Sequence, residues 1–291
     1  MKSSVELSPR PVRARAIAAA VVALIASGLA AGASGAPAPQ PDRASAAALL
    51  EQFRRSIWAE PVYAEFDLRQ MPRRGPERAY RGRFWGARND QGPATRIELD
   101  IGHGGFTHRF LVQGGPFGAV WTSDGAGAGT LSEDAAATPL VPGVEMTPFD
   151  VLPMPFLYWL DYKPAGAERI RGRPANIYVF LPSADFTARN PGIRSVRAYL
   201  DAQYDALEQS EIIGSTGRVS KTLTLLELRK VGDRWIPKDL DVRNESTRDK
   251  TRLSLTAVAV GVQPNAGALD PSQLGLPLAP PPTSHVLRMT P

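Results

Sequence analysis

A period-two alternation of apolar and polar residues, repeated in short runs across residues 169–260, constrains this chain more than any other feature. In the first run, residues 176–182, Ile177, Val179 and Leu181 share one face, and Tyr178 and Phe180 take the other. Val196, Ala198, Leu200 and Ala202 then alternate with Arg197, Tyr199, Asp201 and Gln203. A Thr- and Leu-rich segment over residues 218–231 follows the turn at 214–217. Gly232-Asp233 reverses the chain, residues 235–244 return, and residues 251–260 alternate once more. Short runs of this period, each bounded by Gly, Pro, Asn or Asp, predict a twisted antiparallel meander with a buried face.

The same pattern begins earlier. Val62, Ala64, Phe66 and Leu68 oppose Tyr63, Glu65, Asp67 and Arg69, and runs at 78–88, 95–101, 107–112 and 119–122 continue the sheet. Before them, residues 44–58 predict one helix, with Asp42 or Ser45 as its cap. Leu49, Leu50, Phe53, Ile57 and Trp58 recur on one of its faces at three-to-four spacing. Residues 125–143 are rich in Gly and Pro and are the one candidate for an internal linker. They lead, however, into a dense apolar cluster of Val151, Leu152, Met154, Phe156, Leu157, Tyr158, Trp159 and Leu160. A water-exposed linker does not carry that load. The expectation is one or two helical turns tucked into the concave side, either completing the core or acting as a movable lid.

The ends read differently. Residues 1–33 have a basic start, an apolar stretch from Ala16 and small residues before a break, the pattern of a secretory signal peptide. Cleavage after Ala33 avoids Pro37 beside the scissile bond. Cleavage after Ala36, or retention as an anchor, are the alternatives, although the stretch falls short of the ~20 residues a bilayer requires. In this leader Lys2, Arg10, Arg13 and Arg15 against Glu6 supply +3 of the net +5, leaving +2 for the rest. Positive charge is not clustered, so nucleic acid is not an expected partner. Residues 34–43 read as a linker. The regular pattern ends near 262, and the proline-rich residues 263–291 are expected to be extended or disordered. There is no cysteine, hence no disulfide, no catalytic thiol and no lipid-attachment site on this chain.

Catalytic signatures are lacking. His103 and His108 do not match a zinc spacing. The segment Gly102-His103-Gly104-Gly105 resembles an esterase oxyanion loop but has no G-x-S-x-G elbow to serve. The Gly-rich stretches precede no Lys-bearing helix, so they are poor phosphate cradles. Cofactors and metals are therefore not expected.

An ordered set of motifs carries a family resemblance. It runs through Gly172-Arg173-Pro174, a strand ending in Leu181-Pro182, Tyr199-Leu200-Asp201, a Glu-rich strand, and Gly217 followed by a basic residue. It continues with Leu226-Glu227-Leu228-Arg229-Lys230-Val231, Asp233-Arg234-Trp235-Ile236-Pro237-Lys238 and Arg248-Asp249-Lys250-Thr251-Arg252-Leu253. This resembles the outer-membrane lipoprotein-sorting proteins, the group similar to the periplasmic carrier LolA. The match is good over residues 169–260 and looser over 49–124; it does not reach the leader or the tail after Pro264.

The resemblance implies a mainly β fold over residues 44–262: a curved antiparallel sheet forming an incomplete half-barrel, with an N-terminal helix and a short helical lid on its concave side. It implies a soluble, non-lipidated, monomeric periplasmic protein that binds or carries lipoprotein or lipid acyl chains without enzymatic activity. Its partners would be the acylated cargo, an inner-membrane transporter and an outer-membrane acceptor. The candidate cavity residues are Phe66, Leu68, Phe84, Ile97, Leu99 and Phe110 on the early strands and Met154, Phe156 and Trp159 on the lid. Ordinary core packing suits each of them as well. Family carriers latch the lid with an Arg, and no motif here singles one out. The alternatives are a lipoprotein-sensing interaction module, or a hydrolase that assembles His103 or His108 with a distant Ser and carboxylate.

Overall fold

The computed structural model describes residues 43–102, 104–125, 127–201 and 206–289. The leader, its cleavage sites, nearly all of the linker, Asp42, His103, Ala202 and Gln203 lie outside them. Helix α1 (Arg43–Ser56) leads into β1 (Val62–Met71), β2 (Arg78–Asn89), β3 (Gly92–Asp100), β4 (Phe106–Gln113), β5 (Ala119–Asp124) and β6 (Thr130–Leu131). After the irregular middle come β7 (Asp161–Ile170), β8 (Arg173–Leu181), the short helix α2 (Ala184–Arg189), β9 (Ile193–Asp201) and β10 (Ala206–Gly214). The series ends with β11 (Val219–Val231), β12 (Arg234–Asn244), β13 (Lys250–Val260) and β14 (Leu287–Arg288). β7 was not anticipated. Its residues are largely exposed on a sheet edge, so no apolar alternation marks it.

The strands make one open antiparallel sheet in the order β6-β5-β4-β3-β2-β1-β13-β12-β11-β10-β9-β8-β7, the predicted half-barrel. Each half is a meander of chain neighbours, and the halves meet where β1 pairs β13, from Val62 opposite Val260 to Met71 opposite Lys250. A bulge at Glu65/Phe66 interrupts this ladder and locally increases its twist.

Alternation sends one set of side chains to the concave face. Val62, Ala64, Phe66 and Leu68 meet Ile97, Leu99, Phe110, Val196, Ala198, Leu253 and Leu255 in the main core. Tyr178 and Phe180 belong to this face, and Ile177 turns to the other with Ala175 and Tyr199. Helix α1 covers part of the hollow with Ala46, Leu50 and Phe53, joined by Ile57 just beyond its end. It ends at Ser56, so Trp58 leaves the helix with a φ of +52° rather than extending its stripe. The Tyr178 hydroxyl donates to the Ala46 carbonyl at 2.7 Å, tying helix to sheet.

The proline-rich tail is neither loose nor featureless, which corrects the expectation for residues 263–291 as far as Met289. It crosses the convex face through two 3₁₀ turns and ends in β14, which pairs β13 at Ala257 and Val258. Arg96, fully buried, donates to the carbonyls of Ala268, Gln273, Leu274 and Leu276. Arg109 donates to the Gly275 carbonyl at 2.7 Å. Buried Glu98 collects Arg83 at 2.6 Å, Arg96 at 2.8 Å and Arg109 at 3.7 Å. Leu274 fills a small core with Ala94 and Leu111. Composition misleads here because proline forbids regular ladders but leaves carbonyls free for arginine to read.

Two predictions concern this framework. Arg96→Ala strands the tail carbonyls and part of the charge on Glu98, so urea unfolding should show a loss of about 3–5 kcal/mol, the range for breaking a buried pair. Burial raises the hydroxyl pKa of Tyr178, Tyr63 and Tyr158 from 10.0 to about 12. A raised folded-state value means that stability is intact below pH ~10 and is lost as pH climbs towards ~12. Thermal midpoints followed alongside tyrosinate absorbance should fall across that window, and less steeply in Tyr63→Phe.

Candidate ligand cavity

The concave face is not completely filled. A cavity of about 200 Å³ remains between sheet, helix end and middle segment. Phe66, Phe84, Ile97, Leu253 and Leu255 form its floor, and Phe53, Ile57 and Trp58 close one side. Glycines make room for two of its aromatic rings. A Cβ on Gly82 would lie 2.1 Å from the Phe66 ring, and one on Gly86 would lie 2.4 Å from the Trp58 ring. The Trp58 indole N–H donates to the Thr95 hydroxyl at 2.8 Å, and that hydroxyl donates to the Leu152 carbonyl at 2.5 Å. The polar atoms of Trp58, Thr95 and Leu152 in this wall are thus spent on one another, and this part of the hollow is left apolar.

The middle segment supplies another wall, with Leu140, Met146, Val151, Leu152 and Met154. Its 3₁₀ turns, Pro148–Asp150 and Pro155–Tyr158, occupy the concave side as expected. Phe149, Met154, Phe156 and Leu157 are buried. Arg54 Nε donates to the Leu157 carbonyl at 2.6 Å, the Glu145 N–H donates to Thr251 Oγ1 at 2.6 Å, and Lys221 Nζ meets Asp150 at 2.6 Å. These are the contacts of a plug built into the core.

The outer wall comes from a different element. β11 and β12 pair with each other up to Val231 opposite Arg234. Among the described residues, β10 accompanies β11 only to Thr224, and β13 accompanies β12 only to Asp239. Residues 225–238 therefore leave the sheet as a two-stranded arm, and β14 stands beside β13 where the arm departs. Leu228, Trp235, Ile236 and Pro237 of the arm line the cavity. Arg171 Nη1 holds the arm's base through the Leu225 carbonyl at 2.7 Å, and Arg234 Nε meets Glu60 Oε2 across the mouth at 2.9 Å. Hydrogen bonding and charge from Arg234 hold the Glu60 carboxyl below its ordinary range.

Of the residues expected to form the cavity, Phe66, Phe84, Ile97 and Met154 line it. Leu68, Leu99, Phe110 and Phe156 are packed in the surrounding core, outside the lining. Trp159 lies outside it too, against Phe149 at 5.9 Å and Phe186 of α2 at 4.9 Å. Sequence reasoning missed Trp58 and the arm. The turn residues Gly232-Asp233 beside Trp235-Ile236-Pro237 marked a hairpin, but periodicity does not tell a hairpin inside a sheet from one that leaves it. His108 pairs with Asp124 and packs edge-on against Phe110, away from the lining. Among the described residues no cluster of His, Asp and Glu is placed to hold a metal, and no helix is long and apolar enough to cross a membrane.

No family model and no curated protein matches the sequence. Solved structures do match its shape. An outer membrane lipoprotein-sorting protein domain from Vibrio parahaemolyticus aligns with a TM-score of 0.64 at 14% identity, over 78% of this chain and 97% of that one. A DUF1329 family protein from Desulfovibrio piger gives 0.63 at 13%, over 78% and 96%. A LolA superfamily protein from Nitrosomonas europaea gives 0.55 at 12%, over 73% and 92%. The chain has a LolA-like fold.

The glycine at the aromatic wall is open to a test. Gly86→Val should drive the Trp58 ring from its place and lower stability by about 1–3 kcal/mol, the usual cost of overpacking. Urea denaturation monitored by tryptophan emission would read both effects.

Proposed function

We propose that this chain is a non-enzymatic periplasmic binder or carrier of acyl chains, taken from lipoproteins or lipids and passed towards the outer membrane. The observation that carries this reading is the largely apolar hollow in an open half-barrel, with the Trp58 and Thr95 polar atoms of its wall bonded within the protein. The fold likeness to a lipoprotein-sorting domain points the same way.

The physical task is moving an oily chain through water. Each methylene exposed costs ~0.8 kcal/mol, so about 15 of them cost roughly 12 kcal/mol. A carrier must recover much of that and still let go. An apolar cavity of ~150 Å³ stays dry and accepts a ring-sized ligand; the hollow here, about 200 Å³, takes a chain segment of similar bulk. Release requires a wall that yields. The plug is bonded at several points, whereas the arm is a two-stranded hairpin of the kind that is marginal without sheet neighbours. The movable role expected of the middle segment therefore passes, in this reading, to the arm. The leader directs the chain across the inner membrane, and an inner-membrane donor and an outer-membrane acceptor complete the route.

The test is native mass spectrometry of protein purified gently from a Gram-negative periplasm, with displacement of Nile red as the solution assay. Acylated species should co-purify, and fatty acids should displace the dye. Phe84→Asp places a carboxylate on the floor and should weaken displacement by about tenfold or more, with the β circular dichroism intact. A protein that purifies empty and ignores the dye would refute the carrier and favour the sensor with a protein partner.

A further inference from the structure

Three charged side chains line the cavity: Glu60, Asp150 and Arg234. Asp150 is buried, and its Oδ2 holds Lys221 at 2.6 Å and the N–H and hydroxyl of Thr147 at 2.8 and 2.9 Å. These bonds keep the plug in shape. Glu60 and Arg234 are different. They stand at the mouth with side chains 49% and 43% exposed, and their bond runs through the Arg234 Nε–H alone. A guanidinium has five N–H donors in a planar fork suited to a carboxylate or phosphate.

The surroundings share the sign of Arg234. Lys230 is exposed on the arm, and Arg88, bonded to the Ile57 carbonyl, lies where α1 gives way to β1. Glu227 is shared within the arm by Lys238 at 3.4 Å and Arg229 at 4.0 Å, which leaves Glu60 and the exposed Asp233 of the turn as the nearby acids. The result is an apolar interior with a cationic rim. That is the complement of an amphiphile with an oily body and a negative end.

Resting on the acyl-chain reading above, we propose that the cavity takes one unbranched chain with an anionic head, carboxylate or phosphate, and that Arg234 binds the head in exchange for Glu60. The volume sets the limit of one chain, because about 200 Å³ is only modestly larger than a hollow that holds a single ring. Glu60 serves as the placeholder that keeps the arginine satisfied when the cavity is empty, and exchanging one carboxylate for another keeps the net cost small. This ties head recognition to the arm: a ligand that takes Arg234 from Glu60 breaks an ion pair that joins the arm's tip to the residues just before β1.

The experiment compares dodecanoate, dodecyl phosphate, dodecanol and dodecyltrimethylammonium as displacers of Nile red, each below its micelle threshold and at low salt. An exposed ion pair is worth up to ~1 kcal/mol, so the anions should bind about two- to fivefold better than dodecanol, and the cation worse. Arg234→Gln should bring the anions down to the level of dodecanol, and Arg234→Lys should restore part of the difference. Glu60→Gln should widen the preference by removing the competing carboxylate. The ratio of dodecanoate to dodecyl phosphate separates a free fatty acid from a phosphate-headed lipid as source. Equal binding of dodecanol and dodecanoate in both wild type and Glu60→Gln, or a cation that binds as well as the anions, would overturn the proposal. If none of them displaced the dye, the acyl-chain reading itself would fall.

Discussion

The ladder between β1 and β13 is the interaction on which the rest of this structure depends. It joins segments nearly the whole folded chain apart, Val62 against Val260 and Leu68 against Leu253. It turns two separate meanders into one wide sheet. A sheet of this width, twisted and left open, has a hollow apolar face that no neighbouring strand can cover. Everything placed on that side answers the same need. Helix α1 covers one part, the 3₁₀ plug another, and the β11–β12 arm a third. The covers do not meet perfectly, and the cavity is what remains between them.

Their unequal anchoring gives the cavity its functional character. The plug is bonded to α1, to β11 and to β13, and it buries Phe149, Phe156 and Leu157. The arm has shed both outer neighbours and ends on an exposed ion pair, which contributes little energy at a surface. The convex side is secured in the opposite manner. Four carbonyls of the tail converge on Arg96, and three arginines converge on Glu98, in a region sealed from water. Charges there are costly to expose singly. The same molecule thus has a rigid back and a hollow with one yielding wall.

The alternation of Val62, Ala64, Phe66 and Leu68, and of Val196, Ala198 and Leu200, was legible because burial on a sheet face imposes a period of two on any chain. So was the concave placement of residues 148–159, since a run of apolar residues in an irregular stretch needs a core to enter; Leu160, counted in that run, is 95% exposed instead. The tail was misread from its prolines. They rule out regular structure but not docking, and the docking depends on Arg96 and Arg109, which in sequence look like ordinary solvent-facing strand residues. The cavity was half legible: Phe66, Phe84, Ile97 and Met154 reach it, and Leu68, Leu99, Phe110 and Phe156 share their patterns without reaching it. Alternation reports that a side chain faces inward, not whether something packs on top of it.

The short helix α2 and the strands β6, β7 and β14 aside, local periodicity and turn chemistry by themselves determined most of the long strands, their inward faces, helix α1 and the absence of any recognisable catalytic motif. These depend on neighbours a few residues apart, which sequence records directly. Tertiary structure alone decided that β12 pairs β13 only from Asp239 onward, that β14 takes the vacated place, and that Arg234 meets Glu60 across the opening. Each of these is a competition among segments far apart in the chain for the same edge or the same charge. Its outcome depends on the summed packing of the whole sheet, which no local window of sequence contains.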